Sequence, residues 1–292
     1  MYNSLKGTGV ALVTPFQSSG EIDFPALKRL IDHCIEGGVD YLVTMGTTGE
    51  SAVLDKEEKK AVIDFTLKAT ASRIPVVAGF GGNDTRALLR DLEQFSFEGI
   101  AAVLSVSPYY NKPTQAGIRA HYQAVAAASP RPVILYNVPG RTGSNITAET
   151  TIALAAEKNI IGIKEASGNF SQCMQIVQGT PTEFLKISGD DNITLPLLAL
   201  GFDGVISVSA QGFPERFSQM VRDGLKGDFA AARANHYPLV KVTDMLFAEG
   251  NPGGIKYVLQ QRGIMEAHMR LPLVGISETL KKQIDTELRQ LV

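Results

Sequence analysis

Cysteine is scarce: Cys34 and Cys173 are the only two in 292 residues. Two distant thiols make no disulfide framework and no CxxC is present, so a reducing compartment, the cytoplasm, is the expected location. A surplus of charge is lacking too. The 28 Lys and Arg residues against 30 Asp and Glu leave a formal net charge of −2. That balance argues against nucleic acid and against an anionic membrane surface as partners. No apolar run approaches transmembrane length, and Val10–Val13 is too short for the core of a signal peptide. Histidine is limited to His33, His121, His236 and His268. The first three fall on helical patterns, and neither HxH nor HExxH occurs, so no histidine-bound metal is expected. No strand-to-helix turn carries GxGxxG and no P-loop pattern occurs; the nearest stretch, Gly79-Phe80-Gly81-Gly82, lacks the spacing and reads as a tight turn. Asp190-Asp191 offers oxygens to Mg²⁺, but adjacent acids in a turn are more often solvated or capping a helix. Both cysteines sit at helical core positions, which argues against a thiol nucleophile.

What is present is a soluble globular balance, 44 % apolar and 20 % charged. Short runs rich in Val and Ile alternate with amphipathic helical patterns. The strand candidates are Gly9–Thr14, Tyr41–Met45, Pro75–Phe80, Ala101–Val106, Pro132–Asn137, Ile160–Glu165, Leu185–Gly189 and Gly204–Val208. Each reads as a strand buried on both faces. The helical runs between them include Pro25–Glu36, with Leu27, Leu30, Ile31, Cys34 and Ile35 on one face, and Asp55–Ala69, with acids early and Lys68 late. Eight such units without a long break favour a closed (β/α)8 TIM barrel of the α/β class over an open doubly wound sheet. After residue 226 the strands stop. Asp228–Glu249, Gly254–Gln261 and Ser277–Leu291 read as helices, so a barrel domain over 1–226 is expected to be followed by a helical extension over 227–292.

Active sites of such barrels lie at the C-terminal ends of the strands. Period-2 alternation along Ile160–Glu165 puts Ile161 and Ile163 outside and Gly162 and Lys164 inside. An amine drawn out of water sheds its proton more readily, and a neutral amine attacks a carbonyl. Lys164 is therefore the candidate for a Schiff base, against the plainer possibility of a lysine that reaches water or pairs with Glu165. Tyr136 ends the neighbouring strand and offers a phenol for proton transfer. Thr47 and Thr48, between two glycines, offer hydroxyls and amides to a carboxylate. Arg141, after Pro139-Gly140, offers a guanidinium to a second one. Ordinary turn chemistry or a solvated surface role accounts for each of these residues taken singly.

Together, Gly46-Thr47-Thr48-Gly49-Glu50, Tyr136-Asn137-Val138-Pro139 with Arg141-Thr142-Gly143, Gly162-Ile163-Lys164-Glu165 and Ser188-Gly189-Asp190-Asp191 resemble the class I pyruvate-dependent aldolase superfamily. The resemblance runs in order from Gly9 to the C-terminus. Arg141 in its Pro-Gly-Arg-Thr-Gly setting, with Pro108-Tyr109-Tyr110, points to the branch that joins pyruvate to L-aspartate 4-semialdehyde. The resemblance implies that Lys164 forms the imine and that Tyr136, Thr47 and Tyr110 relay protons, with Tyr110 reaching across a tight dimer interface. It implies that Thr48 and Ile206 contact pyruvate, that Arg141 binds the carboxylate of the semialdehyde, that no cofactor is needed, and that the assembly is a homotetramer built as a dimer of dimers. Sister lyases, those that cleave N-acetylneuraminate or 2-keto-3-deoxy sugar acids, would share Lys164 and Tyr136 and differ at Arg141. A pyruvate-binding sensor without turnover is the remaining alternative. In feedback-inhibited members of the branch, L-lysine binds at the tight dimer interface. Against that pattern Ser51, Ala52, Asn83 and Tyr109 match, whereas Lys59 and Lys56 stand for histidines and Ala87 for a glutamate. Weak or absent inhibition by lysine is the resulting expectation.

Overall fold

The structure, a computed structural model, describes residues 2–291. Eight parallel strands close on themselves in sequence order: β1 (Gly7–Ala11), β2 (Tyr41–Thr44), β3 (Val76–Gly79), β4 (Ile100–Val106), β5 (Val133–Asn137), β6 (Ile160–Glu165), β7 (Leu185–Ser188) and β8 (Gly204–Ser207). The closing ladder pairs Gly7 with Gly204 and Val10 with Ser207. Around the barrel run α1 (Phe24–Glu36), α2 (Lys56–Thr70), α3 (Thr85–Gln94), α4 (Gln115–Ala128), the single turn α5 (Pro139–Thr142), α6 (Ala148–Leu154), α7 (Phe170–Gly179), α8 (Thr194–Leu200) and α9 (Pro214–Leu225). Then follow α10 (Phe229–Phe247), α11 (Gly253–Gln261) and α12 (Glu278–Gln290) without further strands. Among the described residues, no helix is long and apolar enough to cross a membrane. The eight-stranded closed barrel with trailing helices is the architecture that the alternation of strand and helix patterns implies.

Local chemistry explains most helix starts. Asp55 accepts the Glu58 N–H at 2.8 Å while the Glu58 side chain accepts the Asp55 N–H at 3.1 Å, a full capping box at the head of α2. Asp23, Asp84, Thr114, Asn169 and Ser277 cap their helices from one side only, each side chain accepting a first-turn N–H. Inside the barrel, Val43, Val77, Leu104, Ile134 and Ile187 form one apolar stack. A second, larger core lies between barrel and helices, and it includes Leu30 of α1, Met220 of α9, Leu246 of α10 and Ile284 of α12. The trailing helices therefore share a continuous core with the barrel.

Two details differ from the sequence expectation. Strand β1 begins at Gly7 and ends at Ala11, earlier than the Gly9–Thr14 run. Past Ala11 the Leu12 N–H still donates to Val43 O at 3.0 Å, and then side chains take over: Val13 N–H donates to Gln211 Oε1 at 3.1 Å, and the Thr14 hydroxyl donates to Gly49 O at 2.7 Å. Ile161 does not join Ile163 outside. A register shift beside Val133 turns Ile161 into the barrel stack, while Ile163 packs with Ile160, Leu135 and Ile176 outside.

His121 on α4 is 4 % exposed, its Nδ1 is 2.8 Å from the Thr85 hydroxyl, and burial pushes its pKa down to about 4. The folded state thus holds the ring neutral, while the unfolded chain takes up its proton near the ordinary pKa of about 6.5. Stability carried by His121 is complete above that value and is lost as pH falls from 6.5 through 4, by at most about 3 kcal/mol. Thermal melts between pH 7.5 and pH 4.5 should show a falling Tm, and His121→Leu should make that fall shallower. An unchanged acid limb in the variant would show that other groups set it.

Candidate active site

The ends of the strands and the near face of α10 enclose a cavity of about 390 Å³. Lys164, Tyr136, Thr47, Thr48 and Arg141 all line it. Lys164 comes from the inner face of β6, where it pairs in register with Tyr136 of β5 on one side and Ile187 of β7 on the other. It is 6 % exposed, and its Nζ stands 4.3 Å above the centre of the Tyr136 ring. Among the described residues it makes no ion pair. Lys186, the other buried strand lysine, faces the opposite way and pairs with Asp203 at 3.7 Å. The difference matters chemically: an amine without a carboxylate partner, in a cavity, is available to a carbonyl.

Room for the lysine comes from Gly189. A Cβ there would lie 3.0 Å from Lys164 Cε and 3.2 Å from Cγ. Gly162, by contrast, serves the sheet: its Cβ would lie 2.6 Å from Leu185 O and from Leu185 Cβ, so its role is to let β6 and β7 approach.

Thr47 and Thr48 sit on a tight turn, Thr47–Gly49, closed by the Glu50 N–H donating to Thr47 O at 3.1 Å. Glu50, directly after the turn, and Met45, two residues before it, are both left-handed, with φ of 53° and 58°. Non-glycine residues held there carry strain, which is common where a backbone shape is needed for function. The Thr47 side chain is exposed to the cavity mouth and Thr48 is buried. Arg141 lies on α5, and its exposed guanidinium has no carboxylate partner among the described residues. Ile206 lies in the barrel stack with Tyr136, and Val208 rather than Ile206 forms the wall on the β8 side. Tyr110 does not reach the cavity of its own chain. It is 87 % exposed, with φ of 72°, and its N–H donates to Thr142 O at 3.3 Å.

The adjacent acids divide their work. Asp191 is buried and its Oδ2 accepts the N–H of Val208 at 3.1 Å, the N–H of Ser209 at 2.9 Å and the Ser209 hydroxyl at 2.9 Å. It caps the turn after β8, not the helix that follows it in sequence. Asp190 faces the cavity, and burial together with the Asp191 charge raises its pKa. Among the described residues no group of three or more His, Cys, Asp and Glu side chains is placed to hold a metal ion. Both cysteines are buried; burial drives the Cys34 thiol up, and burial with the nearby Glu165 charge pushes Cys173 up to about 12.

The sequence reading missed one side of the cavity. Thr243, Asp244 and Phe247 of α10, with Asn251 beyond it, form a wall. Asn251 Nδ2 donates to the Thr48 hydroxyl at 3.0 Å. The one signal available was the Asn251-Pro252-Gly253-Gly254 break between two helical runs, a stretch whose composition marks a tight turn.

Comparison with known proteins agrees with this geometry. The model of the Dihydrodipicolinate synthetase family matches residues 4–291. The 4-hydroxy-tetrahydrodipicolinate synthase of Flavobacterium psychrophilum is 52 % identical over 286 residues, 98 % of each chain. The crystal structure of dihydrodipicolinate synthase from Aquifex aeolicus superposes with a TM-score of 0.95 at 40 % identity, covering 98 % of both chains. The chloride-inhibited enzyme from Acinetobacter baumannii, complexed with pyruvate, superposes with a TM-score of 0.95 at 36 % identity over 98 % of both. An unpaired inward lysine at the end of β6 and a match along nearly the whole chain lead to one assignment: the chain belongs to the dihydrodipicolinate synthetase family.

Proposed function

We propose that the cavity around Lys164 joins pyruvate to L-aspartate 4-semialdehyde. The chain is an enzyme of the class I aldolase type, and its reaction is the Schiff-base condensation of pyruvate that forms 4-hydroxy-tetrahydrodipicolinate in lysine biosynthesis. The observation that carries the residue assignment is the buried Lys164 Nζ lying over the Tyr136 ring with no ion-pair partner among the described residues.

In this reading the neutral Lys164 amine attacks C2 of pyruvate. The carbinolamine loses water, and Tyr136, with Thr47 and the Tyr110 of a second copy, carries the protons. The protonated imine then withdraws electrons from the methyl carbon, which loses a proton to give an enamine. That carbon attacks the aldehyde of the second substrate, whose carboxylate is held by Arg141. The amino group of the adduct then attacks the imine carbon, closing the ring and releasing Lys164. The Thr47–Gly49 turn, with Thr48, receives the pyruvate carboxylate, and Ile206 packs below it. The 87 % exposure of Tyr110 and its left-handed backbone support a place against a second copy, as a homotetramer built from tight dimers would provide. Two buried, unpaired thiols support a cytoplasmic location.

The test is a coupled assay with pyruvate and L-aspartate 4-semialdehyde, run beside cleavage of N-acetylneuraminate. Turnover of the first and none of the second is expected; the reverse would assign the chain to the sister activity.

The same reading bears on feedback. Of the acids near the matched lysine pocket, Glu58 is held by Arg270 at 2.5 and 2.7 Å, and Asp84 accepts the Ala87 N–H at 3.2 Å. Lys56 is paired with Asp91 at 2.7 Å. Glu57 and the second oxygen of Asp84 are left to meet the ammonium of a ligand. A desolvated charge pair that loses a partner weakens by about 2–5 kcal/mol, roughly 30-fold or more in affinity. L-lysine titrated into the forward assay is therefore expected to leave activity intact at sub-millimolar concentration. Strong inhibition in that range would mean that Glu57 or Asp84 has replaced the missing glutamate.

A further inference from the structure

Lys256 is a fully enclosed lysine that the mechanism does not use. It lies on α11, in the helical extension, and is 0 % exposed, yet its Nζ is 2.5 Å from the carboxylate of Glu50, which is also 0 % exposed. Buried ion pairs rarely stabilise a fold more than a well-packed apolar pair does. Burial pushes the Lys256 ammonium down to about 8 even though Glu50 opposes that shift. Stability alone is a poor reason for such a pair.

Its surroundings show what it holds. Glu50 is the left-handed residue directly after Thr47-Thr48-Gly49. Its second oxygen accepts the Arg270 N–H at 3.2 Å. Lys256 Nζ donates to His268 O at 2.8 Å and lies 4.4 Å from the centre of the Phe16 ring, whose ring also receives the Arg270 guanidinium at 4.6 Å. Arg270 in turn donates to Gly20 O and to Glu58. Five residues before Lys256, Asn251 ties the Thr48 hydroxyl from the same side. From the opposite side the Thr14 hydroxyl holds Gly49 O. The turn is thus gripped between the barrel and the extension, and the grip ends on a charge pair.

We propose that Lys256 and Glu50 are positioning residues for catalysis: their buried pair fixes the left-handed exit of the Thr47–Gly49 turn and so presents Thr47 and Thr48 to the pyruvate carboxylate. This rests on the proposed role of that turn. Neither residue lines the cavity, so they act on the substrate indirectly, through the Thr47–Gly49 turn that Glu50 ends.

The experiment compares Lys256→Met, Glu50→Gln and the double variant by Tm, by the KM of each substrate and by borohydride trapping against pyruvate concentration. Each single variant leaves one buried polar partner unmatched and should lose Tm. The double variant should recover Tm to within a few degrees of the parent. Its pyruvate KM should nevertheless stay raised by about tenfold, as misplacement of a binding group produces, with the semialdehyde KM within about twofold. A double variant with the parent's pyruvate KM would show a merely structural pair and overturn the proposal. Should the double variant not fold, Glu50→Gln decides the matter: it keeps the side chain's size and its acceptor for the Arg270 backbone N–H while removing the charge that holds Lys256. A raised pyruvate KM in Glu50→Gln with the semialdehyde KM unchanged supports the proposal, and a parental value overturns it. Thr48→Val separates the two levels. If its pyruvate KM is unchanged, the role of the turn fails and this proposal with it. If Thr48→Val is impaired while the double variant is not, the pair's role alone fails.

Discussion

Borohydride reduction in the presence of pyruvate should add one pyruvate-derived mass to the peptide that contains Lys164, and Lys164→Ala should take up none. The expectation follows from elimination among buried lysines as much as from the family. Three lysines are buried: Lys164, Lys186 and Lys256. Lys186 is spoken for by Asp203 and Lys256 by Glu50, whereas Lys164 opens into the cavity beside Tyr136. Without the amine there is no imine and no electron sink, and no other described group in the cavity replaces one. Turnover in Lys164→Ala should fall by roughly 10⁴- to 10⁶-fold, the range seen when one member of a catalytic group that acts as a unit is removed. The fold should tolerate the change, since the lysine's near neighbour Gly189 leaves it space rather than packing tightly round it. Peptide mapping by mass spectrometry reads the result directly. Labelling on another peptide, or undiminished labelling in Lys164→Ala, would remove Lys164 from the reaction.

Replacing Arg141 by alanine should separate the two substrates. Its guanidinium stands exposed at the cavity mouth on the single turn α5, joined to no carboxylate among the described residues. A bidentate, charge-assisted contact with a substrate carboxylate is worth about 1.5–3 kcal/mol. Its loss should lower kcat/KM for the semialdehyde by roughly 10- to 150-fold. Pyruvate trapping on Lys164 should persist, because the Thr47–Gly49 turn lies on the other side of the cavity's strand ring, at the end of β2. Arg141→Lys should rescue only part of the loss, since an ammonium cannot make the paired contact. If pyruvate trapping collapses while the semialdehyde KM holds, the arginine has been given the wrong substrate.

The barrel was legible because eight apolar runs recur with helices between them, and that period survives errors of two residues at any boundary. The inward face of Lys164 was legible for a similar reason: alternation along β6 holds from Gly162 to Lys164. It failed one step earlier, at Ile161, because a register shift belongs to the pairing of two strands and leaves no mark in one of them. The residues around Thr48 show where such reasoning ends. Asn251 and Thr48 are 203 positions apart, and no local pattern links them. Lys256 was hidden in another way. Within Gly253–Gln261 a lysine reads as the polar face of a helix, yet the helix is buried on nearly every side and the lysine is among the most enclosed residues in the chain. For Asp191 the sequence leaves a solvated side chain or a cap on the next helix; only the three-dimensional closeness of the β7 and β8 ends shows that it is buried against the backbone of Val208 and Ser209.

The wall that α10 and Asn251 contribute to the cavity has a consequence for how such enzymes can be recombined. A chimera cut near residue 226 would inherit Lys164, Tyr136 and Arg141 from one parent and Thr243, Asp244, Phe247 and Asn251 from the other. The crossover would look harmless, falling after a complete barrel. It would nonetheless split the cavity lining between two lineages, together with the Asn251–Thr48 bond and the Glu50–Lys256 pair. Inheritance of the active site is thus tied to both halves of the chain, and a crossover inside the barrel that keeps residues 47–50 with the C-terminal third would be the gentler graft.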